Sequence, residues 1–211
     1  NEHALACGVY DSNGTLLWTD LERGPHPRAA AVADLDGDGK SKIVLDNHGM
    51  QYIYSEDGAC RMIAHCWGDT IPGREDGCAH AQSIAGPFGP RGAMRIFMSP
   101  GYSAMELLDG AGARLSRRAL VNDYEFPART AAVGRIRGTD EWDAGFVSET
   151  GIFHAVDLNS CQTRWALDLG VPTFWPISVT AGDLTGEGRD HFLVSLPNGE
   201  LVSLCEKYGS V

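Results

Sequence analysis

The sequence predicts an all-β protein, a β-propeller of four-stranded antiparallel blades, and two observations carry that prediction. The first is a repeat. About every 49 residues the chain runs through a small-residue strand, a tight acidic or glycine-rich loop, an apolar strand, a turn and another strand. The second is composition: 26 glycines among 211 residues, with 43% hydrophobic residues, fit a globular fold with many turns. The clearest copy is Ala29 to Ala33, the loop Asp34-Leu35-Asp36-Gly37-Asp38-Gly39, then Ile43-Val44-Leu45 and Gln51-Tyr52-Ile53-Tyr54. The last copy passes from Val179 through Gly182-Asp183-Leu184-Thr185-Gly186-Glu187-Gly188 to Phe192-Leu193-Val194 and Glu200 to Leu204. Two worn copies lie between them, at Ala79 to Ile96 and Ala131 to Val147.

Strands are numbered 1 to 4 from the propeller axis outward. In the first full copy they are expected at Ala29 to Ala33, Lys42 to Asp46, Gln51 to Ser55 and Arg61 to Cys66, with Glu56-Asp57-Gly58 as the hairpin turn. In the second they fall at Gln82 to Ala85, Met94 to Ser99, Ser103 to Leu108 and Arg114 to Leu120, around the turn Asp109-Gly110. The third has Thr130 to Val133, Ala144 to Ser148, Phe153 to Asp157 and Thr163 to Leu169. The fourth has Ser178 to Gly182, His191 to Ser195 and Leu201 to Cys205. Ala4 to Tyr10 and Thr15 to Asp20, joined by Asp11-Ser12-Asn13-Gly14, read as strands 3 and 4 of a preceding blade. The chain is thus expected to hold one propeller domain or part of one: a partial blade over 1–24, blades over 25–73, 74–122 and 123–170, and a partial blade over 171–211. A segment of a larger propeller of about seven blades is the expected arrangement, the alternative being a small ring of about four.

Net charge is −11, which argues against a general nucleic-acid binder, because phosphate contacts need a basic surface. No apolar run approaches the roughly 20 residues of a membrane helix, and Asn1 to Leu5 does not read as a secretion signal. The cysteines, Cys7, Cys60, Cys66, Cys78, Cys161 and Cys205, include no CxxC pair. Their even number suits one to three disulfides in an exported protein, or else several are small buried strand residues. Trp18 and Trp165 hold the same repeat position on strand 4, where an aromatic packs as a wedge between neighbouring blades.

The alternation Asp34-x-Asp36-x-Asp38-Gly39 lets three carboxylates converge on one hard cation, the glycine permitting the sharp turn. It resembles the calcium loops of FG-GAP and VCBS propeller repeats. That resemblance implies a structural calcium held by Asp34, Asp36 and Asp38, in a non-catalytic propeller used for adhesion or glycan binding. The pattern normally ends on an acidic residue four positions after the third aspartate, and Lys42 stands there instead, removing a ligand and adding a repelling charge. The fourth copy offers Asp183, Thr185 and Glu187, with His191 in the last position. The other reading of both loops is a tight turn capped through Asx-type hydrogen bonds.

Loops leading into strand 1 and loops joining strands 2 and 3 share the opposite rim. Sorted by that rule, His26, Arg28, His80, Tyr124, Arg129 and Trp175 fall on the first kind of loop, and His48 and Tyr102 on the second. Binding residues sit preferentially on loops over a rigid scaffold. Arg28 and Arg129 are at equivalent positions, so a salt bridge near the axis is a competing use for them. His26 and His48, about twenty residues apart in one blade, with Tyr124 and Arg129 from a later blade, resemble the set in propeller-fold polysaccharide lyases of the ulvan and rhamnose–glucuronate type. The resemblance implies a secreted enzyme that cleaves a uronic-acid polysaccharide by β-elimination. Arg129, helped by His26 or His48, would neutralise the sugar carboxylate. Tyr124, or His48 in its place, would take the C5 proton. Arg28, His80, Tyr102 and Trp175 would bind substrate.

Overall fold

Every interior blade of a propeller is covered on both faces, so its middle strands must be apolar on both sides rather than alternating. This chain's middle strands read that way, as in Ile96-Phe97-Met98 and Ala144-Gly145-Phe146-Val147. The structure, a computed structural model, describes residues 7–20, 27–47, 50–65, 82–99, 104–119, 130–138, 140–148, 150–171 and 177–205. Among them are seventeen strands in five antiparallel sheets, each sheet a meander in which neighbours in sequence are neighbours in space. A hairpin of β1 (Cys7–Tyr10) and β2 (Leu16–Asp20) comes first. Blade A is β3 (Pro27–Ala33), β4 (Lys42–Asn47), β5 (Met50–Tyr54) and β6 (Cys60–His65). Blade B is β7 (Ser83–Gly86), β8 (Arg95–Met98), β9 (Ala104–Asp109) and β10 (Arg114–Ala119). Blade C is β11 (Ala131–Gly134), β12 (Asp143–Val147), β13 (Ile152–Asp157) and β14 (Gln162–Asp168). Blade D contributes β15 (Ser178–Gly182), β16 (His191–Ser195) and β17 (Leu201–Leu204). The protein has the β-propeller fold.

The core is a row of seams between blades. Side-chain alternation sends Ile96 and Met98 toward blade A, where they meet Val44 and Ile53, and sends Phe97 toward blade C, where it meets Ala144, Phe146 and Val156. Between blades C and D, Phe153 and Ala155 pack against Val179, Phe192 and Val194. The first hairpin covers blade A through Cys7 and Trp18 on Tyr52 and Tyr54. Trp18 is the expected wedge: its ring stacks on Tyr54 at 5.3 Å and its Nε1 donates to the Glu56 carbonyl at 2.9 Å. Trp165 does the same work at the other end, set against Phe153 at 5.2 Å in the seam facing blade D.

Hydrogen bonds one repeat apart tie successive blades. The Ala131 N–H donates to Gln82 Oε1 at 2.9 Å, and the Val179 N–H donates to Thr130 Oγ1 at 3.1 Å. A second recurrent device sits on the turns between strands 3 and 4. Gly58, Gly112 and Cys161 hold φ of +84°, +82° and +57° at the end of those turns. Each faces strand 4 of the preceding sheet. A Cβ on Gly58 would lie 3.0 Å from the Trp18 ring, and one on Gly112 would lie 2.6 Å from Ile63. Where the neighbour is the small Ser116, the turn accepts a side chain, and Cys161 Sγ lies 2.9 Å from Ser116 Oγ. Gly112→Ala is expected to cost about 1–3 kcal/mol, from left-handed strain plus the clash with Ile63. Gly14, at φ +80° with nothing within 4 Å, isolates the strain. Urea midpoints of the two alanine variants should therefore differ, with Gly112→Ala the lower.

Among the described residues, Cys7, Cys60, Cys161 and Cys205 form no disulfide. The disulfide expectation fails at those four positions, and the small buried residue holds for Cys161, which is fully buried in the B–C seam. Cys66 and Cys78 lie outside the described residues.

Candidate functional site

The two faces of the propeller differ in how much their loops vary. On the lower face the connectors from strand 1 to strand 2 are residues 34–41, 87–94, 135–142 and 183–190, eight residues in all four blades. On the upper face the connectors into strand 1 run from six residues, 21–26, to seventeen, 66–82. A constant loop set serves the scaffold, and a variable one is where a scaffold of this kind carries its specificity.

Beneath the upper rim the A–B seam turns from apolar to polar. Asp46 follows Val44 by two residues on β4, Gln51 precedes Ile53 by two on β5, and Ser83 precedes Ala85 by two on β7, so all three share the seam with those apolar residues. Asp46 and Gln51 are cross-strand partners. Both are fully buried, Ser83 is 2% exposed, and Ser99 at the end of β8 is fully buried. The Gln51 amide and the Ser83 hydroxyl have no hydrogen-bond partner among the described residues. Buried polar groups in folded proteins are paired, so this seam presents hydrogen-bonding capacity at the base of the variable loops. Sequence reading assigned Asp46 and Gln51 to strands without singling them out; the signal is a polar residue at one end of each of two apolar runs, after Ile43-Val44-Leu45 and before Tyr52-Ile53-Tyr54.

The residues expected on that rim, His26, His48, His80, Tyr102, Tyr124, Arg129 and Trp175, lie outside the described residues. Arg28 belongs to β3, with its side chain outside the description. The strands fix where their loops attach: 48–49 joins β4 to β5, 66–82 joins β6 to β7, and 120–130 joins β10 to β11, all from upper strand ends.

Asp34, Asp36 and Asp38 do come together on the lower face: one oxygen from each lies within 4.8 Å of the others. The Asp34 carboxylate accepts N–H bonds from Gly37 at 2.8 Å and Gly39 at 2.9 Å. Asp38 Oδ1 accepts from the Lys40 N–H at 2.8 Å, which, with Lys42 nearby, holds its carboxyl below the usual range. The Lys42 ammonium donates to Asp36 Oδ1 and Asp38 Oδ2, each at 3.2 Å. Burial alone would lower the Lys42 ammonium, but its bonds to Asp38 and Asp36 hold it above the ordinary lysine value. A pocket of about 270 Å³ opens beside it, lined by Leu35, Asp36, Lys42, Ile53, Arg61 and Gly110, small for a ligand site. The fourth loop builds the same turn around Asp183. Asp183 accepts from the N–H groups of Gly186 at 2.8 Å and Gly188 at 2.7 Å, and these bonds hold its carboxyl below the usual range.

No family model matches the chain, and no curated protein sequence does. Solved structures match in shape. Sqt1 of Saccharomyces cerevisiae superposes with a TM-score of 0.67 at 10% identity, over 97% of this chain and 54% of that one. The Dos1 propeller gives 0.63 at 12% identity, over 97% of this chain and 50% of that one. BBS1N, solved in complex with ARL6DN, gives 0.61 at 14% identity, over 97% of this chain and 60% of that one. These likenesses establish the propeller fold. The chain spans about half to three fifths of the length of these structures.

Proposed function

We propose that this propeller acts outside the cell on an acidic polysaccharide, which it binds across its upper rim and cleaves by β-elimination at a uronic acid. The supporting observation is the contrast between constant lower loops and variable upper connectors over a seam of buried, hydrogen-bonding side chains. The connectors that join upper strand ends carry His26, His48, Tyr124 and Arg129 in their sequences. In the reaction Arg129, with His26 or His48, neutralises the uronate carboxylate so that the C5 proton becomes acidic. Tyr124 accepts that proton as phenolate, and an acid on the same rim protonates the departing glycosidic oxygen as the C4–O bond breaks. Arg28, His80, Tyr102 and Trp175 hold the flanking sugars. The net charge of −11 is compatible with an anionic ligand because charges farther than about 8–10 Å are screened at physiological salt.

The test is ultraviolet absorbance of the protein mixed with a panel of uronic-acid polysaccharides, beside Tyr124→Phe and Arg129→Gln variants. Unsaturated uronate should accumulate with the unsubstituted protein and fall by about 100-fold or more in either variant, the scale of a lost acid–base or charge-stabilising group. Glycan binding without any absorbance rise replaces the lyase with a non-catalytic binding propeller. Absence of both activity and binding across the panel overturns the glycan assignment.

A further inference from the structure

The calcium loops that Asp34-x-Asp36-x-Asp38 resembles use a cation to draw their carboxylates together. Here an ammonium does it. Lys42 Nζ lies 3.2 Å from an oxygen of Asp36 and 3.2 Å from an oxygen of Asp38, and its side chain is 15% exposed, against 59% for Lys40 two residues earlier. The third carboxylate, Asp34, has both oxygens engaged by the N–H groups of Gly37 and Gly39. A divalent cation placed among these oxygens meets a fixed positive charge within hydrogen-bond range and lacks the last acidic ligand, so the residues present do not fit calcium while Lys42 holds its position.

The fourth loop serves as an internal control. It makes the same eight-residue connector between β15 and β16 with Asp183 alone capping the backbone. Thr185 and Glu187 stand where Asp36 and Asp38 stand in the first loop. His191, at the position of Lys42, bonds instead to Ser203 at 2.9 Å. The turn itself therefore needs only its first aspartate and glycines. In the first loop Asp36 and Asp38 both receive Lys42, and Asp38 also caps the Lys40 N–H with its other oxygen.

We propose that Lys42 is the resident cation of this loop, that the loop folds independently of calcium, and that one substitution, Lys42→Asp, turns it into a calcium site. The experiment is calcium titration by calorimetry, with competition by terbium as a second readout. It uses the unsubstituted chain, Lys42→Asp and Lys42→Met. Thermal midpoints are recorded in chelator and in calcium at about 10 mM, roughly tenfold above the weakest Kd of extracellular calcium modules. The unsubstituted chain should show no saturable binding and the same midpoint in both buffers. Lys42→Asp should bind one calcium at least about tenfold more tightly than Lys42→Met, since it both removes the ammonium and supplies a carboxylate. Calcium should raise its midpoint. Stoichiometric binding by the unsubstituted chain, abolished by Asp36→Asn, overturns the proposal. So does a folded Lys42→Asp that binds no better than Lys42→Met. Should Lys42→Asp fail to fold in chelator, the proposal requires calcium to restore it, and failure in both buffers counts against it.

Discussion

Truncating Phe153 to alanine is expected to remove about 3–5 kcal/mol of stability, the cost of emptying an aromatic site in a close-packed interior. Phe153 is fully buried and contacts two other aromatic rings, Trp165 at 5.2 Å and Phe192 at 5.3 Å. The site is poorly able to collapse. Across β12 the neighbouring Gly145 leaves room for both rings, since a Cβ there would lie 2.7 Å from Phe192 and 2.8 Å from Phe153. Loss of Phe153 therefore leaves a hollow bounded by backbone on one side and a second blade on the other. The urea midpoint should drop with an unchanged slope if the blades unfold together. A loss under about 1 kcal/mol, the scale of a tolerated core swap, would show that blades C and D do not share one core.

The second large effect is electrostatic. Asp143 is 2% exposed, and its Oδ2 accepts from Arg137 Nε at 3.1 Å and Arg164 Nη1 at 3.2 Å. Arg137 also reaches Asp157 and Glu141, so the lower end of blade C is held by a chain of alternating charges. Burial pushes the Asp143 carboxyl above its ordinary range, and the two guanidiniums pull it back only in part. Such a group is expensive to bury and more expensive to delete. Asp143→Ala should cost about 3–5 kcal/mol by removing the buried carboxylate that both guanidiniums share. The double variant Asp143→Leu with Arg164→Met should recover most of that loss, because Arg137 keeps Asp157 and Glu141. Denaturation of the two variants measures the difference; equal losses would mean that Asp143 acts through packing rather than charge.

The fold was legible because its rules are local and repeat. Ser178–Gly182 and His191–Ser195 match the expected strands residue for residue, and the other described strands fall within a few residues of expectation. The short 3-10 turn at Pro90–Gly92, with Arg91 at φ +57°, carried no periodic signal and was not foreseen. Convergence of Asp34, Asp36 and Asp38 was legible for the same local reason, as three residues on one tight loop. What Lys42 does there was not. The sequence shows a charge that repels a metal, while only the folded loop shows that charge seated on Asp36 and Asp38. The polar seam of Asp46, Gln51 and Ser83 depends on which blade faces which, and the pairing of Asp143 with Arg137 and Arg164 on how the strands of blade C lie side by side; period-two patterns encode neither relation.

The seats formed at the strand 3–4 turns have a consequence for how the molecule assembles. Blades of one architecture are nearly interchangeable in backbone, and chains built from similar units fail by docking the wrong neighbours. Here the junctions carry two kinds of seat, a bare glycine turn under a large side chain and a cysteine turn beside a small one. Trp18 fits only a turn with nothing at its apex, Gly58; Ile63 likewise fits Gly112; and Ser116 leaves the room that Cys161 fills. Exchange the partners and Trp18 would meet the Cys161 thiol, while Ser116 opposite Gly58 would leave a void. The Ser116–Cys161 seat thus cannot be exchanged with either of the other two without a clash or a void, which sets the junction of blades B and C apart from the two before it.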